Sequence, residues 1–216
     1  MLVLASNSPR RKQLLELGGW TFTIMPADID ERVLPGEAPH DYVLRLAEGK
    51  ARGAHSLFPT DAVFLAADTA VIDGEDILGK PADEAEAEAM LRRLRGHTHQ
   101  VYTALAILDS ASGQLLLDCC STDVPMRDYS DEEIRAYIST GDPLDKAGAY
   151  AIQHTGFRPV ENLEGCYANV MGMPLCHLSR MLSRLGIEPE KNVSLACQGV
   201  TNSMCAVYPQ ILEMQE

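Results

Sequence analysis

Asp68 follows the apolar run Ala62-Val63-Phe64-Leu65-Ala66-Ala67, which makes it the carboxylate best placed in this sequence to handle a proton or a hard metal ion. A run without alternation predicts a strand covered on both faces, and the carboxyl end of such a strand is where open α/β sheets bind ligands. Further oxygen donors lie in the acidic turn Asp28-Ile29-Asp30-Glu31, which suits Mg²⁺ or Mn²⁺ but is also what a solvated loop looks like. The matching cations come early, in Ser6-Asn7-Ser8-Pro9-Arg10-Arg11-Lys12. Ser8 is a good N-cap and Pro9 fits the first helical position, so three cations fall in a first turn where the macrodipole is already positive. An anion bound there would reverse that penalty. Free N–H groups, the Ser6 and Ser8 hydroxyls and two guanidinium forks form a phosphate-binding corner without a glycine loop; a plain basic helix start is the alternative.

The elements that must position these groups are legible in outline. Leu2 to Ala5 is a short strand leading into the helix that Gly18-Gly19 stops, and Thr21 to Met25 is a second strand closed by Pro26. Pro39 opens a helix to about Ala54, with Val43, Leu46, Ala47 and Lys50 at i, i+3, i+4 and i+7. Lys50 thus lies on the apolar stripe and must either snorkel to water or meet a negative partner. Val71-Ile72, Asp73-Gly74 and Ile77-Leu78 read as a hairpin that delivers Gly79-Lys80-Pro81 toward Asp68. Asp83 with Glu86 opens a third helix ending near Arg95, Val101 to Leu108 and Gln114 to Val124 are strands, and Ser130 with Glu133 opens a short helix. His97 and His99 share a strand face as polar residues rather than as a metal pair. In the irregular stretch Asp142 to Gln153, small residues permit close approach to a ligand, Lys146 adds a cation, and the Gln153 amide can read a base edge. A last amphipathic helix runs to about Leu185, before Gly186. Beyond Glu188 the periodicity fades into an extension that packs along the surface or against a second subunit.

Composition narrows the class. The 216 residues are 46% hydrophobic, enough for a real core, and no apolar run is long enough to span a bilayer. The start of the chain lacks the order of a secretory signal, so the cytoplasm is expected. A formal charge of −13 argues against a nucleic-acid-binding face and makes the Arg10-Arg11-Lys12 cluster more notable. The six cysteines contain no C-x-x-C pair, which predicts buried free thiols; a Cys197–Cys205 disulfide is the minor alternative.

Taken in order, Ser6-Asn7-Ser8-Pro9-Arg10-Arg11, Ala66-Ala67-Asp68-Thr69, Gly79-Lys80-Pro81, Asp145-Lys146-Ala147-Gly148-Ala149-Tyr150 with Ile152-Gln153, and Asn169-Val170-Met171-Gly172-Met173-Pro174-Leu175 resemble the Maf family of nucleoside triphosphate pyrophosphatases. The resemblance covers roughly residues 1–186 and leaves 187–216 as a C-terminal extension. It implies an α/β fold akin to the inosine triphosphate pyrophosphatases, an elongated mixed sheet with flanking helices and a cleft between two lobes, commonly in a homodimer. It also implies hydrolysis of a nucleoside triphosphate to the monophosphate and pyrophosphate with a divalent metal cation. The dTTP and UTP branch carries the blocks seen here at Asp68-Thr69 and Gly148 to Gln153; the 7-methyl-GTP branch differs at both and has a Trp in the first motif that this chain lacks. Ala151 stands where glycine is usual before Ile-Gln, and Ala70 where an aliphatic residue follows Asp-Thr. On this reading Asp68 activates water and, with Glu31, holds Mg²⁺ or Mn²⁺; Lys50 and Lys80 are the catalytic cations. Ser6, Ser8, Arg10, Arg11, Thr69, Lys146 and Gln153 bind substrate. A non-catalytic nucleotide-binding regulator linked to cell division is the rival from another class; a pyrophosphatase for modified or other bases is the nearer one.

Overall fold

The computed structural model describes residues 1–213. Its first elements are β1 (Leu2–Leu4), α1 (Pro9–Leu17), β2 (Phe22–Ile24) and α2 (Pro39–Leu57). Ser8 caps α1 through its side chain, with Pro9 in the first turn. The second helix runs three residues past the expected Ala54, because Ala54 is still buried and its carbonyl still accepts from Phe58. There follow β3 (Val63–Asp73), β4 (Asp76–Leu78), α3 (Glu84–Leu94), β5 (Thr98–Asp109), β6 (Gln114–Pro125) and α4 (Asp131–Ile138). Asp83 caps α3, and Ser130 with Glu133 closes a full capping box on α4. The irregular stretch holds two 3₁₀ turns, Asp142–Asp145 and Ala147–Ala149, and the last described elements are α5 (Tyr167–Val170), α6 (Leu175–Ser183), α7 (Val193–Thr201) and α8 (Tyr208–Glu213).

The strands form one mixed sheet in the order β2-β1-β3-β5-β6, with β4 also on β3. β1 runs parallel to β2 and β3, while β3, β5 and β6 are antiparallel. Asp68 does not end its strand, contrary to the sequence reading: β3 continues to Asp73 because β5 pairs with it as far as Ile72. The ligand-binding edge arises in another way. β5 occupies one edge of β3 throughout, so β1 and β4 must share the other; β1 takes residues 63–65 and β4 takes 71–73. Among the described residues the backbone between them has no strand partner on that side, and Asp68 and Thr69 lie in the gap.

Both faces of β3 are covered, as its uninterrupted run predicts. Leu65 and Ala67 pack with α1 and α6, while Phe64 and Ala66 pack with Val43, Ala47, Ala51 and Ala54 of α2. A third cluster, in which Val71, Val101 and Val124 meet α3 and α4, builds a second lobe at the far end of the long strands. The residues after Glu188 pack along the surface of their own chain. Asn192 caps α7, and Cys197, Val207, Tyr208 and Ile211 pack on the α1–α6 cluster of the same chain. Both helices are short, and α7 is rich in Ser, Thr, Cys and Gly, which blurs the period. Arg180 fastens α8 by donating to the Ile211 carbonyl (3.3 Å) and to Asp118 of β6 (2.7 Å).

Candidate active site

Side chains alternate along a strand, so Asp68 and Thr69 project to opposite faces of β3. Asp68 falls on the α2 face, where Lys50 Nζ lies 2.6 Å from its Oδ1 and also 2.6 Å from Glu31 Oε1. The lysine on the apolar stripe therefore meets two negative partners and does not snorkel. Asp68 is only 6% exposed. Burial raises its pKa above the ordinary aspartate value, against the charges of Lys50 and Arg11, and Glu31 adds to the rise. Burial also works to raise Glu31, but the hydrogen bond and charge of Lys50, with Lys80 and Arg11, hold it below the ordinary glutamate value. Two acids on one lysine are thus pushed apart, the deeper one becoming the stronger base.

Thr69 falls on the other face, opposite Thr103 of β5 in the register. Arg11 reaches it from α1: NH2 donates to Thr69 Oγ1 (3.1 Å), Nε to the Gly172 carbonyl (3.0 Å) and NH1 to Ser6 Oγ (3.4 Å). Behind it, Thr69 and Thr103 share a hydrogen bond of 2.9 Å, and Thr103 Oγ1 donates to the Asn169 carbonyl (2.9 Å). Asn169 is fully buried and donates to Val101 O and Thr122 Oγ1. Gly172 offers its carbonyl at a φ of +103°, and a Cβ there would stand 3.2 Å from Thr69 Oγ1. Ser6 also accepts from the Ser8 N–H (3.2 Å), which fixes the corner before α1.

These groups open on one cleft of about 630 Å³ that Ser6, Ser8, Arg10, Arg11, Glu31, Lys50, Asp68, Thr69, Lys80 and Lys146 all line. Lys80 comes off β4 onto its exposed rim. Lys146 is buried, and its ammonium already meets the Asp142 carbonyl, Asp142 Oδ1 (2.9 Å) and Asp145 Oδ1. That makes it a brace for the 3₁₀ turns as much as a free cation. Gln153 is not brought into the lining; its Oε1 is buried without a hydrogen-bond partner among the described residues, while Tyr150 and Ala151 reach the wall. Sequence reasoning missed Tyr42, whose hydroxyl donates to the Glu31 carbonyl (3.0 Å), and gave no role to Thr103 or Asn169. Only Asn169 had a signal, its place in the Asn169 to Leu175 block.

The two histidines differ in burial and partner. His97 precedes β5 and lies 3.0 Å from Asp73, whereas His99 is buried with Nε2 2.8 Å from the Tyr150 hydroxyl. Burial pushes His99 down to about 4. All six cysteines are free, including Cys197 and Cys205. No helix among the described residues is long and apolar enough to cross a membrane.

A mixed-sheet α/β protein whose cleft sets two carboxylates against a cluster of cations is built to take a polyanion such as a phosphate ester. Comparison with known proteins gives the family. A family model described as Maf-like protein matches residues 1–185, and the chain belongs to the Maf family. A protein of Geobacter sp. (strain M21) named dTTP/UTP pyrophosphatase is 49% identical over 185 residues, 86% of this chain and 95% of that one. A second protein of that name, from Anaeromyxobacter dehalogenans (strain 2CP-1 / ATCC BAA-258), is 51% identical over 187 residues, covering 86% and 94%. Among solved structures, the Staphylococcus aureus Ham1 protein matches at 14% identity with a TM-score of 0.47, over 75% of this chain and 80% of that one. A nucleoside-triphosphatase / dITP/XTP pyrophosphatase from Mycobacterium abscessus matches at 14% identity and a TM-score of 0.43, covering 85% and 93%.

Proposed function

We propose that this protein hydrolyses dTTP and UTP to the monophosphate and pyrophosphate. The carrying observation is the Asp68–Lys50–Glu31 constellation facing Arg10, Arg11 and Lys80 across one cleft, in a chain about half identical to proteins named for that activity. Asp68 takes the proton of the water that attacks the α-phosphorus, a role its raised pKa favours. Lys50 keeps the buried carboxylate ionised and in place. Arg11, braced by Thr69, Gly172 and Ser6, and the rim cations Arg10 and Lys80 meet the charge of the phosphates and of the departing pyrophosphate.

The residues fit a divalent cation. No group of three His, Cys, Asp or Glu side chains among the described residues forms a metal cage. Asp68 and Glu31 nevertheless converge on one cationic point, Lys50 Nζ, and bond it through Oδ1 and Oε1, which leaves Oδ2 and Oε2 as ligands. Two carboxylates completed by substrate phosphates are the usual donor set for Mg²⁺. Bound there, Mg²⁺ or Mn²⁺ would supply Lewis-acid polarisation of the phosphate oxygens. The reading places catalysis in residues 1–186 and carries from the family a homodimer; six free thiols, three of them buried, support a reducing, cytoplasmic setting.

A screen of nucleoside triphosphates with and without Mg²⁺, followed by product analysis, tests this. The expected products are a monophosphate and pyrophosphate from dTTP and UTP, lost in Asp68→Asn with nucleotide binding retained. Orthophosphate and a diphosphate would refute the site of attack. Tight binding without turnover would favour the regulator, and preference for 7-methyl-GTP would refute the base assignment.

A further inference from the structure

The second acid, Glu31, comes from a segment with no regular structure, yet it meets Lys50 as closely as the buried Asp68 does. The reason lies in α2. Residues 25–31 run as an extended ribbon in which Met25, Ala27 and Ile29 are half-buried while Pro26, Asp28 and Asp30 are exposed. That alternation puts odd-numbered residues toward the protein, so Glu31 shares the side of Ala27 and Ile29. What they face is glycine: a Cβ on Gly53 would lie 2.9 Å from Ala27 Cβ, and a Cβ on Gly49 would lie 3.1 Å from Ile29 Cδ1.

The spacing of ribbon and helix agrees. Two extended residues advance roughly 6.6 Å and four helical residues about 6 Å, so Ala27 to Ile29 keeps step with Gly53 to Gly49 in the opposite direction. One further step along the same helical row reaches Arg45, whose NH2 donates to the Arg32 carbonyl (3.1 Å) and whose guanidinium holds Glu37; Tyr42 donates to the Glu31 carbonyl. The ribbon therefore lies in a seam bare of side chains at two glycines and is clamped by Arg45 and Tyr42 beyond them. Glycine is costly in a helix interior relative to alanine, so two of them at i and i+4 need a packing reason.

We infer that Gly49 and Gly53 are positioning residues for the active site: their seam seats Ala27 and Ile29, and that register selects Glu31, rather than Asp28 or Asp30, to face Lys50 and Asp68. The inference rests on the proposed function for its catalytic consequence but on packing alone for the seam. Gly53 matters more than Gly49, because the Ala27 Cβ cannot swing aside while the Ile29 Cδ1 can.

The experiment uses Gly53→Ala in the full chain, alone and with Ala27→Gly, which removes the atom the new methyl would strike. Overpacking should undock the ribbon, so trypsin should cut after the exposed Arg32 roughly tenfold faster in Gly53→Ala, at a melting temperature no lower than wild type. Ala27→Gly should restore the slow cleavage. Pyrophosphate release should fall and recover in parallel, through kcat more than KM, and Gly53→Ala should add nothing in a Glu31→Gln background. Unchanged cleavage in Gly53→Ala, or no rescue by Ala27→Gly, would overturn the seam. If the wild type releases no pyrophosphate, the function fails while the proteolysis arm still decides the seam.

Discussion

Lys50→Met gives the sharpest test of the site's electrostatics, because it removes one ammonium from between two carboxylates and keeps the aliphatic volume. Lys50 and Asp68 are 13% and 9% exposed at the side chain, and their contact is 2.6 Å. Deleting one partner of a buried pair strands the other charge and costs about 3–5 kcal/mol. The lower end applies here, since Asp68 retains the opposing charge of Arg11 and the cleft admits water. For a chain of this size about 3 kcal/mol corresponds to a fall of roughly 6–12 °C in melting temperature at neutral pH. The pH dependence has a definite sign. Asp68 already titrates above the unfolded value of 3.8, so its ionisation costs stability as pH rises through the folded pKa, and losing Lys50 enlarges that cost. The deficit of Lys50→Met should be largest at pH 7 and shrink below the unfolded value, where Asp68 is protonated in both states. The acid limb of pyrophosphate release should move to higher pH for the same reason. Scanning calorimetry at pH 7 and pH 3.5, together with a pH–rate profile, checks both. A deficit independent of pH, or an unmoved acid limb, would show that Lys50 does not hold the charge of Asp68.

Gly172→Ala places a methyl group 3.2 Å from Thr69 Oγ1 and 3.5 Å from Arg11 Nε at a φ of +103°. Strain of about 1–3 kcal/mol should loosen Arg11 and raise KM roughly tenfold, more than it lowers kcat; steady-state kinetics reads the split. His99, pushed down to about 4 from 6.5, binds a proton later in the folded state than in the unfolded one. Stability should therefore fall as pH drops from 6.5 toward 4, by up to about 3 kcal/mol. His99→Phe should start lower, because the Tyr150 hydroxyl loses its partner, yet show a flatter slope in denaturant melts across that window. Ending the chain after Gly186 removes Cys197, Val207, Tyr208 and Ile211 from the α1–α6 cluster and strips Arg180 of the Ile211 carbonyl. The melting temperature should fall and an apolar dye should bind. Pyrophosphate release per folded molecule should persist at a temperature where the shortened chain stays folded, since among the described residues none after Gly172 lines the cleft. Lost turnover in a folded truncate would contradict the assignment of catalysis to residues 1–186.

Local chemistry made much of this protein legible in its sequence. Ser8 and Pro9 start α1, Asp83 and Ser130 cap their helices, and the Asp73-Gly74 turn closes the hairpin, because each depends on neighbours a few residues away. Lys50 on an apolar stripe announced that its ammonium must either reach water or meet a negative partner. The sequence could not say which acid that would be, nor that two would share the lysine. Only tertiary structure decided that Asp68 sits in mid-strand at an open edge, because β5 carries β3 on to Ile72 while β1 stops and β4 begins on the other edge. The same holds for Thr103 and Asn169, whose part in holding Arg11 depends on the β3–β5 register and on a segment more than sixty residues further along the chain. Gln153 and Lys146 mark the limit from the other side: the chemistry of an amide or an ammonium is written in its residue type, but whether it faces the cleft or a neighbouring carboxylate is set by packing.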